Sequence, residues 1–375
     1  MEKFDFLIIG GGIFGCYAAL YLADKGAKIL LVEQDAELMR RASVVNQARL
    51  HAGYHYPRSI ATARLSDEYR QRFLDDHRAV VNTSFRHFYA IDRYNSLTDA
   101  RQFERFCEFL NLPFQKTECP DFLKKERLEA VYLTEEFSFD PLQIADFYRS
   151  KIESDKSVFL KLRHRIIAAN RSADSYACEL KNLETGDTAT IVASAVINAT
   201  YAGTNGVLQL FGFPEIPLFY EISEMAFLKI PSLQNEGLTV MDGPFCSLMP
   251  YGLSGLHSLS SVVYTHHEVS KNGMPIFSCQ QKNPACLPAH PADCNQCPAV
   301  PGSHFSKMEK QLTHYLSPDV AAQYAHSLFT IKAKLAASQI DDGRPTEITR
   351  IHENPSFYCI FAGKINSIYE IEKFV

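Results

Sequence analysis

The stretch "DFLIIGGGIFGCYAALYLADKGAKILLVEQD", Asp5 to Asp35, decides the fold. Phe6 to Ile9 is a short, wholly apolar run, which suits a strand buried on both faces of a parallel sheet. Gly10, Gly12 and Gly15 follow in the pattern G-x-G-x-x-G. In such a unit the first glycine makes the turn, the second lets main chain approach a pyrophosphate, and the third lets helix and strand pack closely. A helix over Cys16–Lys25, preceded by Ile13 and Phe14, would aim its N-terminal N–H groups and positive dipole end at the phosphates. Gly26 ends that helix, a second strand runs from Lys28 to Val32, and Glu33 stands at its tip. That is about twenty residues past the glycines, where a carboxylate accepts hydrogen bonds from ribose hydroxyls. Strand, turn, helix, strand and acid in this order predict dinucleotide binding; a glycine loop used only for packing leaves Glu33 unexplained. Gln34 is counted with the cofactor contacts.

The remaining composition narrows the classes. The chain has 375 residues and is 46% hydrophobic, enough for two domains or one elaborated α/β unit. A formal charge of −5 gives no support for nucleic-acid binding, which usually brings a basic excess. No apolar run reaches the roughly 18 residues of a membrane span. Glu2 and Asp5 spoil a secretory n-region, so a cytoplasmic protein is expected. In that compartment the scattered thiols of Cys16, Cys107, Cys119, Cys178, Cys246 and Cys359 read as small hydrophobes.

The glycine pattern does not choose between NAD and FAD. The segment after the acid does: "ELMRRASVVNQARLHAGYHYPRS", Glu37 to Ser59, is dense in small residues and donors, as if running along an extended cofactor towards its reactive end. Asn46, His51-Ala52-Gly53, Tyr54-His55-Tyr56-Pro57 and Ala63-Arg64-Leu65 resemble the D-amino-acid-oxidase-type flavoprotein superfamily, and within it most the L-2-hydroxyglutarate dehydrogenases and oxidases. Arg49, where that pattern has a smaller residue, and one residue fewer after Pro57 depart from it.

The resemblance implies a Rossmann-like, glutathione-reductase-type FAD domain with an inserted α+β substrate domain on an antiparallel sheet. It implies Arg41 and Ser43 by the pyrophosphate, Asn46, Gln47 and Ala48 by the ribityl chain, and His51 beside the isoalloxazine. It makes Ile166 the main-chain adenine contact and places Thr200 in the small-residue turn closing the strand Ala195–Ala199. In "FYCIFAGKINSIYEIEKFV", Phe357 to Val375, it implies a strand, then Gly363, Lys364, Ile365 and Asn366 bringing N–H groups and a helix N-terminus to the flavin N1–C2=O locus. Lys364 reads either as an added positive charge or as a solvent-facing lysine. The FAD domain is expected from residues 1–80, 141–215 and 330–375, the substrate domain from 81–140 and 216–329.

The expected activity is oxidation of a C–H beside a hydroxyl, 2-hydroxy-acid-like, with hydride passing to flavin N5 and His51 taking the proton. An amine or amino-acid oxidase is the same-fold alternative; a protein holding FAD for a structural or docking role is the alternative of another class. Arg344, in "DDGRPTEI", is the candidate grip on a substrate carboxylate, or the ion-pair partner of Asp341 and Asp342. Arg49, His55, Tyr251, His266 and His267 are further candidates facing the flavin. The expected partner is a small molecule; the electron acceptor is not legible.

One stretch stands apart. "FSCQQKNPACLPAHPADCNQCPAVPGSHF", Phe277 to Phe305, is Pro-rich, weakly apolar and carries Cys279, Cys286, Cys294 and Cys297. The C-x-x-C of Cys294 and Cys297 is a zinc half-site, and the wider spacing of the first pair is irregular. A structural zinc ion, with His290 or His304 as substitute ligands, would order the insert; free thiols and disulfides are the other readings.

Overall fold

The computed structural model describes residues 1–336 and 346–375. The opening unit has the expected form. Strand β1 (Glu2–Ile9) turns at Gly10 into helix α1 (Ile13–Asp24), and β2 (Ile29–Val32) lies parallel to β1, pairing Phe6 with Ile29 and Ile9 with Val32. The other side of β1 is covered, also in parallel, by the long strand Thr188–Asn198, and Ser356–Phe361 adds parallel to the C-terminal half of that strand. Val158–Lys161 extends the sheet beyond β2. The antiparallel strands His164–Arg171 and Tyr176–Asn182 form its far edge. Ile8, Ile29 and Leu31 pack with α1 and the helix Pro141–Ser154 on one face; Leu7, Leu30 and Val196 pack with Tyr176, Phe211 and Phe357 on the other. A sheet buried on both faces explains its unbroken apolar strands.

A second, nine-stranded sheet stands over the first. Its spine is Leu218–Lys229, buried along nearly all its length, pairing antiparallel with Gln323–Leu335. The strands His266–Ser270, His257–Ser261 and Cys246–Pro250 extend it by antiparallel pairing. One junction departs from the antiparallel expectation: Glu236–Met241 pairs parallel with Arg86–Asp92, because the chain enters this sheet twice from separate segments. Helix Ala100–Leu110 packs behind it, closed at its start by a capping box between Asp99 and Gln102.

The return to the first sheet comes after Leu335 instead of at residue 330, since Gln323–Leu335 is tied to Leu218–Lys229 throughout. Helix Pro141–Ser154 begins as its sequence predicts, with Asp140 accepting from Leu142 N and Gln143 N. The terminal helix, Ile365–Lys373, is of the 3₁₀ type and is broken at Ser367.

Candidate functional site: a cavity between the two sheets

A cavity of about 1140 Å³ runs from the tips of β1 and β2 to the underside of the second sheet. It exceeds the ~300–1,000 Å³ of ordinary ligand pockets, as a cofactor plus a substrate requires.

Its first end is made largely of main chain. Gly10 has φ +106°, and a Cβ there would lie 2.7 Å from the Ala199 carbonyl oxygen. A Cβ on Gly15 would lie 1.9 Å from the Gly10 oxygen, so this glycine is required by packing. Gly12 differs: a Cβ would meet only Ser43 Oγ, at 3.3 Å, and Gly12 lines the cavity. Ser43 Oγ accepts from Ile13 N at 3.1 Å, at the open end of α1. Room beside Gly12 and a helix N-terminus behind it fit a pyrophosphate.

Glu33 lines the same end and accepts from Gly11 N at 2.7 Å and Asp35 N at 2.8 Å. Burial and Asp35 raise its pKa, against the pull of Arg41 and these two N–H groups. A carboxylate offers about four lone-pair sites, which leaves two for ribose hydroxyls. Gln34, Ile166 and Thr200 also line the cavity. Arg41 lines it too, but its guanidinium is bonded to both oxygens of Asp35, at 2.7 Å each, and to the Pro291 carbonyl. That places it beside Glu33.

The middle is set by Asn46. Its side-chain amide donates to Ala42 O and Ser43 O, and its Oδ1 accepts from Ala48 N, holding Ala48 at φ 55°. Asn46 and Gln47 face the cavity, and Gln47 donates to Ser260 Oγ of the second sheet. Ala48 and Gly15 are structural neighbours of the lining, not part of it.

His51, His55, Tyr56 and Arg49 carry the wall onward. Arg49 is buried, and its guanidinium bonds Tyr89 Oη at 2.8 Å, Glu136 Oε2 at 2.9 Å and Thr239 Oγ1 at 2.7 Å. Burial alone would lower its pKa; Tyr89 and Glu136 more than offset this, and the group stays charged. Glu136 also accepts from Tyr89 Oη and from Ala52 N, and its Oε1 lies 4.0 Å from His51 Nδ1. A carboxylate therefore stands behind His51, held by Arg49. Opposite, Gly363, Lys364 and Ile365 close the cavity. Gly363 N and Lys364 N donate to Thr346 Oγ1 at 2.9 and 3.4 Å. Lys364 is buried, its Nζ 2.6 Å from Tyr56 Oη and 4.0 Å from the ring centroid, which sets aside the solvent-facing reading. Asn366 turns away and donates to Ser66 O.

The second sheet forms the roof with Glu221, His266, Lys332 and Lys334. Glu221 Oε2 lies 3.0 Å from His266 Nδ1 and 2.7 Å from Lys334 Nζ. Burial raises the Glu221 pKa, but these partners bring it down to about 2. Burial lowers the pKa of His266 below the ordinary histidine value, so at neutral pH Lys334 is the main charge holding Glu221 ionised.

The layout joins a cleft beside the glycine turn to a second chamber lined by cationic side chains. Residues 5–270 match "DAO: FAD dependent oxidoreductase". The chain belongs to this family. Its members' cofactor, FAD, fits the cradle at Gly12, Glu33 and the open end of α1. The chain is 23% identical, over 363 residues, to the FAD-dependent monooxygenase FPY4 of Fusarium mangiferae, covering 96% of this chain and 87% of that one. Among solved structures it resembles FAD-bound L-α-glycerophosphate oxidase of Mycoplasma pneumoniae, with TM-score 0.70 and 15% identity over 100% of this chain and 94% of that one. Glycine oxidase of Geobacillus kaustophilus gives TM-score 0.66 and 14% identity, covering 98% and 91%.

Not every candidate residue of this family member reaches the cavity. Tyr251 is core, donating to Val44 O at 2.8 Å. His267 pairs with Glu224 at 2.9 Å and stacks on His304, outside the lining. Arg344 lies outside the described residues. The metal reading of the insert meets no matching arrangement: among the described residues no group of three or more His, Cys, Asp or Glu is placed to hold an ion. Cys286 Sγ accepts from Ala292 N at 3.3 Å, and Cys297 Sγ from Asn283 Nδ2 at 3.1 Å, so hydrogen bonds within the insert order it.

Sequence reasoning missed Glu136, Tyr89, Thr239, Glu221, Lys332 and Lys334. None belongs to a motif; each reaches the site through strand pairing distant in sequence.

Proposed function

We propose that this family member oxidises the CH–OH group of a small carboxylic acid of the 2-hydroxy-acid kind. The observation that carries the reading is the charge of the second chamber. Arg49, Lys332, Lys334 and Lys364 line it beside a neutral His266; Arg49 is paired with Glu136, and the described carboxylates of the lining, Glu221 and Asp242, with Lys334 and Arg58. Such a chamber suits an anion, and among its described residues no carboxylate is spare for a substrate ammonium. That favours a hydroxy acid over an amino acid.

FAD, when bound, supplies the two-electron acceptor. His51 is proposed to take the hydroxyl proton, and Glu136, fixed by Arg49 and Ala52 N, to orient it as a positioning residue. Lys364 would place positive charge at the Gly363–Ile365 turn, where the family resemblance puts the flavin N1 locus. Arg344 retains its proposed role as a carboxylate grip. The Cys-rich insert is not proposed to bind zinc.

An anaerobic screen of hydroxy acids, amino acids and polyols tests this, scored by loss of flavin absorbance. Bleaching by 2-hydroxy acids is expected; bleaching by amino acids alone would replace the reading with the amine alternative. The likeness to FPY4 favours a second reading, oxygenation, in which one atom of O₂ enters the substrate and the other leaves as water, with two electrons from a separate donor. Isotopic oxygen recovered in the organic product would select it; recovery only in peroxide or water would reject it.

A further inference from the structure

The insert between Phe277 and Phe305 is not a free loop over the surface. Its middle, Ala289 to Cys294, lines the same cavity as Glu33, Gln34 and Ile166. The Pro291 carbonyl accepts from Gln34 Nε2 at 3.1 Å and from Arg41 at 2.7 Å. Asp293 lies 4.0 Å from Arg40. Three residues just after the ribose carboxylate therefore hold the insert down. From the other side, Gly206 sits under Ala289 so closely that a Cβ would lie 2.1 Å from the Ala289 oxygen. Asn295 ties the end of the segment to Phe329, donating to its carbonyl and accepting from its N–H at 3.0 and 2.8 Å.

We infer that Ala289–Cys294 is a wall of the adenosine subsite, a clasp that must open before FAD can enter or leave. The inference rests on placing adenosine at Glu33 and Ile166, and is independent of the substrate reading. His290 suits the position. Burial, with Arg165 beside it, lowers its pKa, so it presents a neutral imidazole to the cavity. The contacts that keep the clasp shut come from Gln34, Arg40 and Arg41, so a bound ribose on Glu33 and a closed insert stabilise the same local chain. Linkage then requires that FAD favour closure and that closure slow FAD release.

Cys294 reports on the state of the clasp. Burial pushes its thiol up to about 12, so it is a poor nucleophile while the insert is closed. The experiment follows alkylation of Cys294 by peptide mapping, in holoprotein and in protein stripped of FAD. At least tenfold slower reaction with FAD bound is expected. Cys107 and Cys246, buried in other cores, should be unreactive in both states. Equal Cys294 rates in the two states would overturn the inference, as would acceleration shared by Cys107 and Cys246, which would mean general loosening.

Gly206→Val provides the second arm, because its side chain wedges against the Ala289 main chain. FAD release, read by recovery of free-flavin fluorescence, should be at least tenfold faster than from wild type. Wild-type release from folded Gly206→Val would also overturn it; if the variant does not fold, the alkylation arm decides. Failure of the dinucleotide placement itself would look different: Gly12→Val would then bind FAD normally.

Discussion

Main chain from one short stretch, Gly10 to Glu33, builds the phosphate end of the cavity, whereas the chamber beyond His51 is walled by side chains from strands far apart in sequence. At the first end the critical atoms are N–H groups and the space beside glycines, and the Glu33 carboxylate is fixed by two backbone amides. At the second, Arg49 is bonded to residues 40, 87 and 190 positions away. A main-chain site leaves little room for added side chains, and at Gly10 and Gly15 none at all. Side-chain sites tolerate shape changes better but contain buried ions that need their partners.

The sharpest test of this contrast compares two glycines. Gly12→Val should fold with native circular dichroism and lose FAD altogether, because its side chain enters the space beside Ser43 Oγ. Gly15→Val should fail to fold, since its Cβ alone overlaps the Gly10 carbonyl. Normal FAD occupancy in folded Gly12→Val would break the comparison at its first end. Next in size is His51→Ala, which should keep FAD and slow anaerobic flavin reduction by about 10²–10⁴-fold. Wild-type reduction with a genuine substrate would remove His51 from the chemistry.

The same contrast explains which residues are legible in the sequence. Gly10, Gly12, Gly15 and Glu33 announce themselves because a pyrophosphate and a ribose impose fixed spacings along one βαβ unit. Much of the Asn46–Pro57 segment lines the cavity in its linear order, as a stretch running along an extended ligand would. Arg41 lines the cavity with a partner that the sequence does not announce. Its partner Pro291 lies 250 residues away, and no local pattern reports that the insert returns to β2. Glu136 sits in "LTEEF" beside another glutamate, and only the pairing of Phe137–Phe139 with Arg49–Leu50 turns it inward. The cysteines mislead because spacing can suggest a metal site without showing where each sulfur points.

A third test goes to the buried pair. Arg49→Leu should destabilise the protein by about 3–5 kcal/mol, because Glu136 is left buried and charged. Arg49→Leu with Glu136→Leu should lose less than the sum of the two single changes, and urea titrations around the cycle measure the coupling. Additive losses would mean that the two groups stabilise the chamber independently, contrary to the 2.9 Å contact between them.

The smallest expected effect concerns pH. Glu221 has an ordinary value of 4.5, depressed in the folded state to about 2 by Lys334 and His266. A depressed carboxylate contributes stability that is full above the unfolded value and is lost as pH falls through the folded one. Between about pH 4.5 and 2 it should therefore contribute a slope of up to about 1.4 kcal/mol per pH unit. With side-chain exposures of 9% and 22%, the Glu221–Lys334 pair is sheltered enough for solvent screening to leave most of this. Glu221→Gln removes the titrating group, so its stability should fall less steeply than wild type on acidification below pH 4.5, while the two slopes coincide between pH 6 and 8. Urea unfolding at half-unit steps reads both slopes. Parallel curves in the acid range would mean that Glu221 titrates as it does in the unfolded chain. The roof of the chamber would then lack the paired carboxylate on which the proposed preference for an anionic, hydroxyl-bearing substrate rests.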